Sequence, residues 1–399
     1  MKVIVVGAGL GGLTLAHGLR RAGIDVVVYE RDGQRGRPQG ISLHMDDRGA
    51  TALRECLPPE HVVMVEATMG GPREHAQSLA EVDGQLAVTG RRPLDGTPAP
   101  GQQVRPRPGR QVHRPLLRAV LLTGLADTVR FGAEFTRFEQ CADGTVRVHF
   151  ADGRTDTADV LVGADGIGSA VRRQYLPDVR VIDTGKRTLM GATPLRAIDG
   201  SELPALIGHQ PTSAQMRGTM VALGVLRFTE EPMAARERWL PALPLGAVAD
   251  VEDYVMWALP AVARERLSSA EGPATLWDKA KELAADLHPA LRSVVDEAWP
   301  LVTVALRIGI IPRPPKWPAA AVTLIGDAIH LAPGFGGNLA LRDAQRLRDA
   351  LVRAATGEQE LLTAISDYED ALPRDGFPMA DTVGPHGAAE TATPARANT

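Results

Sequence analysis

With 399 residues, 44% hydrophobic and 23% charged, the chain can build two domains or one large composite one, and a core that size needs no disulfide or metal staple. A formal net charge of -4 argues against a nucleic-acid binder. Cys56 and Cys141 are far apart and lack neighbouring ligands, which argues against a disulfide framework or a metal site and fits a reducing cytoplasm.

Residues 1–30 read strand, turn, helix, strand: 3–6 is β-branched, Leu10, Leu13, Leu15 and Leu19 line a helical stripe, and 26–29 is a second buried strand. The apolar start resembles a secretion signal, but the glycines from Gly7 to Gly12 and the lack of a small-residue cleavage site argue against one. No charge-free apolar run reaches the length of about 18 residues that a membrane span needs. The expectation is a soluble, cytoplasmic protein. Next come a short strand at 41–43, a helix at 49–57 and a Pro-, Gly- and Arg-rich loop at 89–109. A helix at 115–125, paired strands at 129–140 and 146–150, and a buried strand at 160–162 follow. From 186 to 313 the texture changes, with strands at 219–228, 254–259 and 302–310 and a helix at 276–287. A buried strand at 322–325 and an amphipathic helix at 339–355 precede a polar segment, 384–399, that reads as a disordered tail.

Three stretches carry chemistry. In GAGLGG, Gly7, Gly9 and Gly12 occupy the positions that make a tight turn, admit a pyrophosphate to bare backbone, and let helix pack on strand. Glu30, eighteen residues beyond Gly12 and at the end of the next strand, is placed to accept from a ribose hydroxyl pair. In VLVGADGIGSAVR, Asp165-Gly166 ends a strand; taken alone, an aspartate capping the next helix explains it as well as a ligand does. In GDAIHLAPGFGGNLALRDA, Gly326-Asp327 ends another strand, and Asp327 can hydrogen-bond a polyol hydroxyl. Bare N–H groups at Gly334, Gly336 and Gly337 then face an anionic or carbonyl-bearing ring, before a helix that begins at Asn338.

In this order the three motifs resemble the single-component FAD-dependent monooxygenases of the para-hydroxybenzoate hydroxylase type, a group that includes salicylate hydroxylases and tetracycline-inactivating members. The resemblance covers most of residues 1–372 and is weak between 186 and 317. It implies an α/β fold: a Rossmann-like FAD-binding domain at 1–185 that resumes at 314–383, with a mostly antiparallel β substrate domain at 186–313 and some of that domain's strands drawn from about 60–110. It implies that Gly7, Gly9, Gly12 and Glu30 hold the adenosine end of FAD and that Asp165 and Gly166 touch FAD and the transient NAD(P)H. Gly326 and Asp327 would hold the ribityl chain, and Pro333, Gly336, Gly337 and Asn338 would border the flavin ring. QVHRPLLRAVLL resembles the family helix with a flavin-contacting arginine, here Arg114, and RPQGISL resembles the loop that places Arg37 and Gly40 near the cofactor; Arg31 is a further candidate cofactor contact. Arg105, Arg107, Arg110 and Arg118 read as a solvated loop and helix face.

The activity implied is hydroxylation of an aromatic or polyketide-like small molecule with NAD(P)H and O2, through a flavin hydroperoxide. No metal, nucleic acid or membrane takes part, and the protein is expected to be a monomer or weak homodimer. His44, Met216, Arg217, Met256, Trp257 and Phe335 are the candidate substrate contacts. No side chain is assigned as catalytic, and His330 reads as a structural cap or pocket wall. The span from His330 to Asn338, eight residues, is a few shorter than the family's, which implies a wider pocket, a displaced ring or disabled flavin binding. A flavoprotein oxidase, a non-redox FAD enzyme and a non-catalytic binding protein remain alternatives.

Overall fold

The N-terminal apolar run forms β1 (Lys2–Val6) and the stripe after it α1 (Leu10–Arg21), which returns the chain to β2 (Asp25–Glu30) in the computed structural model. The structure describes residues 1–34, 36–37, 39–71, 78–83, 86–93, 109–200, 203, 212–216, 219–267, 271–331 and 336–376. β3 (Ser42–Asp46) leads into α2 (Asp47–Cys56), whose N-terminal N–H groups are capped by the Asp46 carboxylate. α3 (Pro59–Ala67), β4 (Ser78–Val82), β5 (Val88–Pro93), β6 (Gly109–His113) and α4 (Arg114–Leu122) follow. Next are β7 (Val129–Phe131), β8 (Phe135–Gln140), β9 (Val146–Phe150), β10 (Thr155–Ala158), β11 (Val160–Gly163) and α5 (Ala170–Tyr175). The middle of the chain supplies β12 (Ile182–Pro194), β13 (Thr212–Met216), β14 (Thr219–Leu226), α6 (Pro232–Trp239), β15 (Tyr254–Ala263), α7 (Pro273–Ala284), α8 (Pro289–Asp296) and β16 (Val304–Ile310). β17 (Val322–Leu324), α9 (Gly336–Ala355) and α10 (Leu361–Gly376) complete the described chain.

Five strands pair in parallel in the order β17-β11-β1-β2-β7. β1, β11 and β17 are buried on both faces, so they read as continuous apolar runs, and Tyr29 on β2 packs on Phe150 of β9 at 4.3 Å. A seven-stranded sheet runs β16-β12-β15-β14-β13-β4-β5, antiparallel throughout except between β13 and β4. β8, β9 and β10 form a small antiparallel sheet, and β3 pairs with β6 as a two-stranded ribbon. The structure thus joins a parallel α/β unit to an antiparallel sheet.

Several sequence expectations need correction. The loop expected at 89–109 begins as strand, since Thr89 to Pro93 lie in β5, while 94–108 is outside the described residues. The strand expected at 129–140 is two strands in different sheets: β7 pairs with β2, and only β8 pairs with β9. Gly132, with φ 67, breaks the run between them. α3 and the long β12 were not expected; β12 mixes Asp, Gly, Lys and Thr into its first half, which hides its alternation. The expected tail at 384–399 lies outside the described residues.

α10 is docked through a buried carboxyl. Thr323 Oγ1 on β17 donates to Glu369 Oε1 at 2.8 Å, Glu369 Oε2 has no hydrogen-bond partner, and burial pushes the carboxyl up to about 7. A carboxyl raised in the folded state adds stability in full below its unfolded value, near 4.5, and that stability is lost as pH rises through 7. The expected loss between pH 4 and pH 8 is on the order of 2–3 kcal/mol. Glu369→Gln should flatten the pH profile of the denaturant midpoint over this range; a variant with the parent's slope would assign the slope elsewhere.

Candidate functional site

The three motifs meet. Gly7 adopts φ 113, outside the range of L side chains, and a Cβ there would overlap the Ala164 carbonyl at the end of β11. A Cβ on Gly12 would overlap the Gly7 carbonyl oxygen and come within 3.3 Å of the Ala164 side chain. A Cβ on Gly11 would stand 3.0 Å from the Ala340 carbonyl oxygen of α9 and 3.3 Å from Ile325, next to Gly326. Arg172, at the start of α5, links the second and third motifs: Nη1 donates to Ala328 O at 2.7 Å and Nη2 to Ile167 O at 2.9 Å.

α1 starts on Gly9 without a side-chain cap and with no acidic residue in its first turn. Nothing lies within 4 Å of where a Gly9 Cβ would stand. That leaves helix-terminal N–H groups facing open space, which suits an anion. Glu30 closes one side: Oε2 accepts from Ala8 N at 2.7 Å and Oε1 from Asp32 N at 2.9 Å. Each oxygen keeps a lone pair for a further donor.

Asp165 does cap α5, accepting at Oδ2 from Ala170 N at 2.7 Å, and Ser169 adds a second cap to Arg172 N. Its other oxygen, Oδ1, is buried and has no partner, so capping accounts for half of the carboxylate. Gly166 has no atoms within 4 Å of its Cβ position.

At the third motif, Gly336 passes so close to Asp327 that a Cβ would lie 2.6 Å from Oδ1. Asp327 is exposed to solvent, and the protein packed around it still raises its pKa through desolvation, with His330 and Arg114 opposing. Burial likewise brings the Arg114 guanidinium down to about 10, with Asp327 opposing. The two carry opposite charge and each steadies the other's charged form. His330 is 1% exposed and its Nε2 lies 2.7 Å from Asp343 Oδ2, which also accepts from Gly326 N at 2.8 Å. It is a structural clasp under the turn. Asn338 is buried too: Oδ1 accepts from Asp46 N at 2.9 Å and Nδ2 donates to His44 O at 2.7 Å, so its amide ties α9 to β3.

Arg31 and Arg37 are exposed and pair with Asp32, at 3.8 and 2.8 Å. Gly40 faces Met190, whose Sδ would lie 2.8 Å from a Cβ. Arg110 and Arg118 are not the solvated face expected: Arg110 Nε donates to Gly70 O at 2.6 Å, and Arg118 Nη1 donates to Gln34 O at 2.8 Å beneath the Glu30 loop. Arg105, Arg107, Pro333, Gly334, Arg217 and Phe335 lie outside the described residues, and Met216 is described only as part of β13.

The paired assignment of Met256 and Trp257 to one cavity fails on strand geometry, because neighbouring residues point to opposite faces. Trp257 is fully buried with Val255 and Leu259 against α7 and α8. Met256 shares the other face with Tyr254, toward Ile41. Sequence reasoning missed Gln111, His113 and Tyr254, which lie on that side. β6 sits between the Pro/Arg-rich loop and α4, and Gln111 to His113 belong to the stretch QVHRPLLRAVLL that reads as a helix.

A sequence model described as an FAD binding domain matches residues 1–222. The chain belongs to that FAD-binding domain family. It is 32% identical over 426 aligned residues to a dual O-methyltransferase/FAD-dependent monooxygenase of Phaeosphaeria nodorum, with 96% of this chain covered but only 42% of that protein. The chain therefore spans under half the length of that relative. An FAD-dependent monooxygenase of Trichoderma harzianum is 28% identical over 88% of this chain and 83% of its own. The crystal structure of an FAD-containing monooxygenase from Photorhabdus luminescens superposes with a TM-score of 0.75 at 28% identity, with 96% of each chain covered. The family's FAD fits the site: an uncapped helix start with open space at Gly9, a backbone-fixed Glu30, and a solvent-exposed Asp327 within electrostatic reach of Arg114. Among the described residues no three His, Cys, Asp or Glu gather for a metal, and no helix is long and apolar enough to cross a membrane.

Proposed function

We propose that the chain is an FAD-dependent monooxygenase that hydroxylates an aromatic or polyketide-like small molecule with NAD(P)H and O2. The convergence of three distant glycine turns on one cleft, with Asp327 and Arg114 facing it, carries this reading. The relatives' names support it. Bound FAD supplies oxygen activation with electrons from NAD(P)H, so that substrate C–H, O2, NAD(P)H and a proton yield C–OH, NAD(P)+ and water. The chain's own residues position and screen. In this reading the Gly9 end of α1 takes the pyrophosphate, Glu30 a ribose, and Asp327 a ribityl hydroxyl. The α9 N-terminus, with N–H groups of Gly336 and Gly337 unmatched inside the helix, favours negative charge at the ring. Asp165 and Gly166 border both FAD and the transient NAD(P)H. The protein works in the cytoplasm, as a monomer or weak homodimer, on a small-molecule substrate.

NAD(P)H oxidation and O2 uptake by the yellow holoprotein test this directly. Absence of flavin absorbance after reconstitution with FAD defeats it. Asp327→Ala should weaken FAD retention about tenfold or more, the worth of one charge-assisted hydrogen bond, in equilibrium dialysis. Retention equal to the parent's would remove Asp327 from the binding site.

A further inference from the structure

The β3–β6 ribbon has two faces of opposite character. Its register opposes Ser42 to His113, Leu43 to Val112 and His44 to Gln111. Opposed residues share a face, so Leu43, Met45 and Val112 enter the core of the parallel unit, and Ser42, His44, Gln111 and His113 turn the other way. There they meet the seven-stranded sheet. The His113 ring stands T-shaped to Tyr254 at 5.6 Å and to Phe228 at 6.3 Å, and the Gln111 amide lies over Gly224, beside Met256.

The layer between ribbon and sheet is closed at one end and open at the other. On β14 the shared face runs from Leu226, fully buried, through Gly224 and half-buried Ala222 to Met220, which is 41% exposed. On β15 it runs from fully buried Tyr254 through half-buried Met256 to buried Ala258, so the open side lies along β14. The ribbon also adjoins the FAD cleft, because Asn338 binds its backbone and Arg114 follows His113.

Gln111 is 6% exposed, and its Oε1 is buried without a hydrogen-bond partner. Any side chain on Gly224 would overlap the Gln111 amide. Two costs therefore coincide: an orphaned buried carbonyl, about 1–3 kcal/mol, and a glycine in mid-strand, about 0.5–1 kcal/mol. An apolar residue at 111 with alanine at 224 would remove both, so the fold itself gains nothing from the pair. Such a conflict beside a cofactor cleft marks where a ligand completes the bonding.

We propose that Gln111 anchors the substrate: its Oε1 accepts a hydrogen bond from the hydroxyl of a planar hydroxyaromatic held between the ribbon and the seven-stranded sheet. This rests on the monooxygenase reading and adds the polar handle that the substrate must carry. The ring packs on Met256 and its hydroxyl points at the ribbon, which leaves a ring carbon toward the flavin side.

Holoprotein reconstituted with FAD is titrated with 2-naphthol, which has the donor, and with 2-methoxynaphthalene, which lacks it, following the flavin absorbance. The parent should bind 2-naphthol about tenfold more tightly. Gln111→Met keeps the length and loses the acceptor, and should abolish that preference while FAD retention and thermal midpoint hold or rise. Gly224→Ala, which displaces the amide without changing it, should also abolish that preference, with a lower thermal midpoint from the overlap. A parent that binds both probes alike or ignores 2-naphthol, a Gln111→Met protein that keeps the preference, or one that melts well below the parent overturns the anchor. Bound FAD and NAD(P)H consumption without probe discrimination sink the anchor alone. A parent that cannot hold FAD defeats the monooxygenase reading and the anchor with it.

Discussion

Gly12→Ala is expected to lose folded protein, and Gly9→Ala to keep the fold and lose FAD. The chemical change is the same single methyl. At Gly12 the added carbon overlaps the carbonyl oxygen of Gly7 and presses on Ala164. Both obstacles belong to the frame that holds α1 against β1 and β11, so no flexible side chain can swing away. Overpacking of that kind costs about 3 kcal/mol or more, and a Tm lower by on the order of 5 °C or beyond is expected. At Gly9 the carbon meets nothing within 4 Å, and the backbone, φ -78 and ψ -179, suits alanine. The stability cost is that of a poorer helix cap, under about 1 kcal/mol. The methyl does occupy the space through which a pyrophosphate reaches the helix N–H groups. FAD affinity should fall about 10- to 100-fold, the value of one or two charge-assisted hydrogen bonds. Thermal melts of the apoproteins and flavin titration separate the two outcomes. Should Gly9→Ala bind FAD as the parent does, the pyrophosphate lies elsewhere; should Gly12→Ala melt with the parent, the close approach is not rigid.

The contrast explains what could be read from the sequence. The glycine turns, Glu30 and the GD turn are local: strand, turn and helix follow each other along the chain, so periodicity and spacing expose them. The parallel strands were legible for the same reason, being short β-branched runs buried on both faces. Non-local pairings were not. Nothing in 129–140 says that its first half joins β2 and its second half β9; Gly132 is the only mark. Nothing in YVMWAL says which alternate residues face the helices, and two neighbours on opposite faces were assigned to one cavity. Side-chain roles shifted in the same way. Asn338, expected beside the ring, uses its amide on the backbone of β3, almost three hundred residues earlier in the chain. Asp165 proved to be both cap and orphan, which no spacing rule distinguishes. Gln111 could be found only once the ribbon register and the glycine opposite were known.

Asp343→Ala is expected to destabilise the protein by about 3–5 kcal/mol near pH 6, and by less as pH rises. One oxygen, Asp343 Oδ2, accepts from His330 Nε2 and from Gly326 N, so it holds both ends of the turn that carries Asp327. Removing it leaves two buried donors without their acceptor and takes away the nearer of the two carboxylates, Asp343 and Asp327, that offset the cost of burying a charged His330. The pH dependence has a definite sign. Burial, the largest influence on His330, lowers its pKa, but Asp343 and then Asp327 outweigh it and the net shift is upward. A histidine raised in the folded state adds stability in full below its unfolded value of about 6.5, and that stability is lost as pH climbs through the folded value. The cost of Asp343→Ala must therefore shrink on the alkaline side, where His330 in the parent is already neutral. His330→Ala should share most of that cost, because the two residues act through one contact, and the double variant should be far less damaged than the sum. Urea midpoints across pH 5.5 to 9 for the four proteins of the cycle give both tests. Additive effects, or a penalty independent of pH, would show the pair to be uncoupled. FAD retention should fall alongside stability in Asp343→Ala, since a loosened Gly326 turn lets Asp327 drift from its place in the proposed site; full retention in a destabilised protein would separate the clasp from that site.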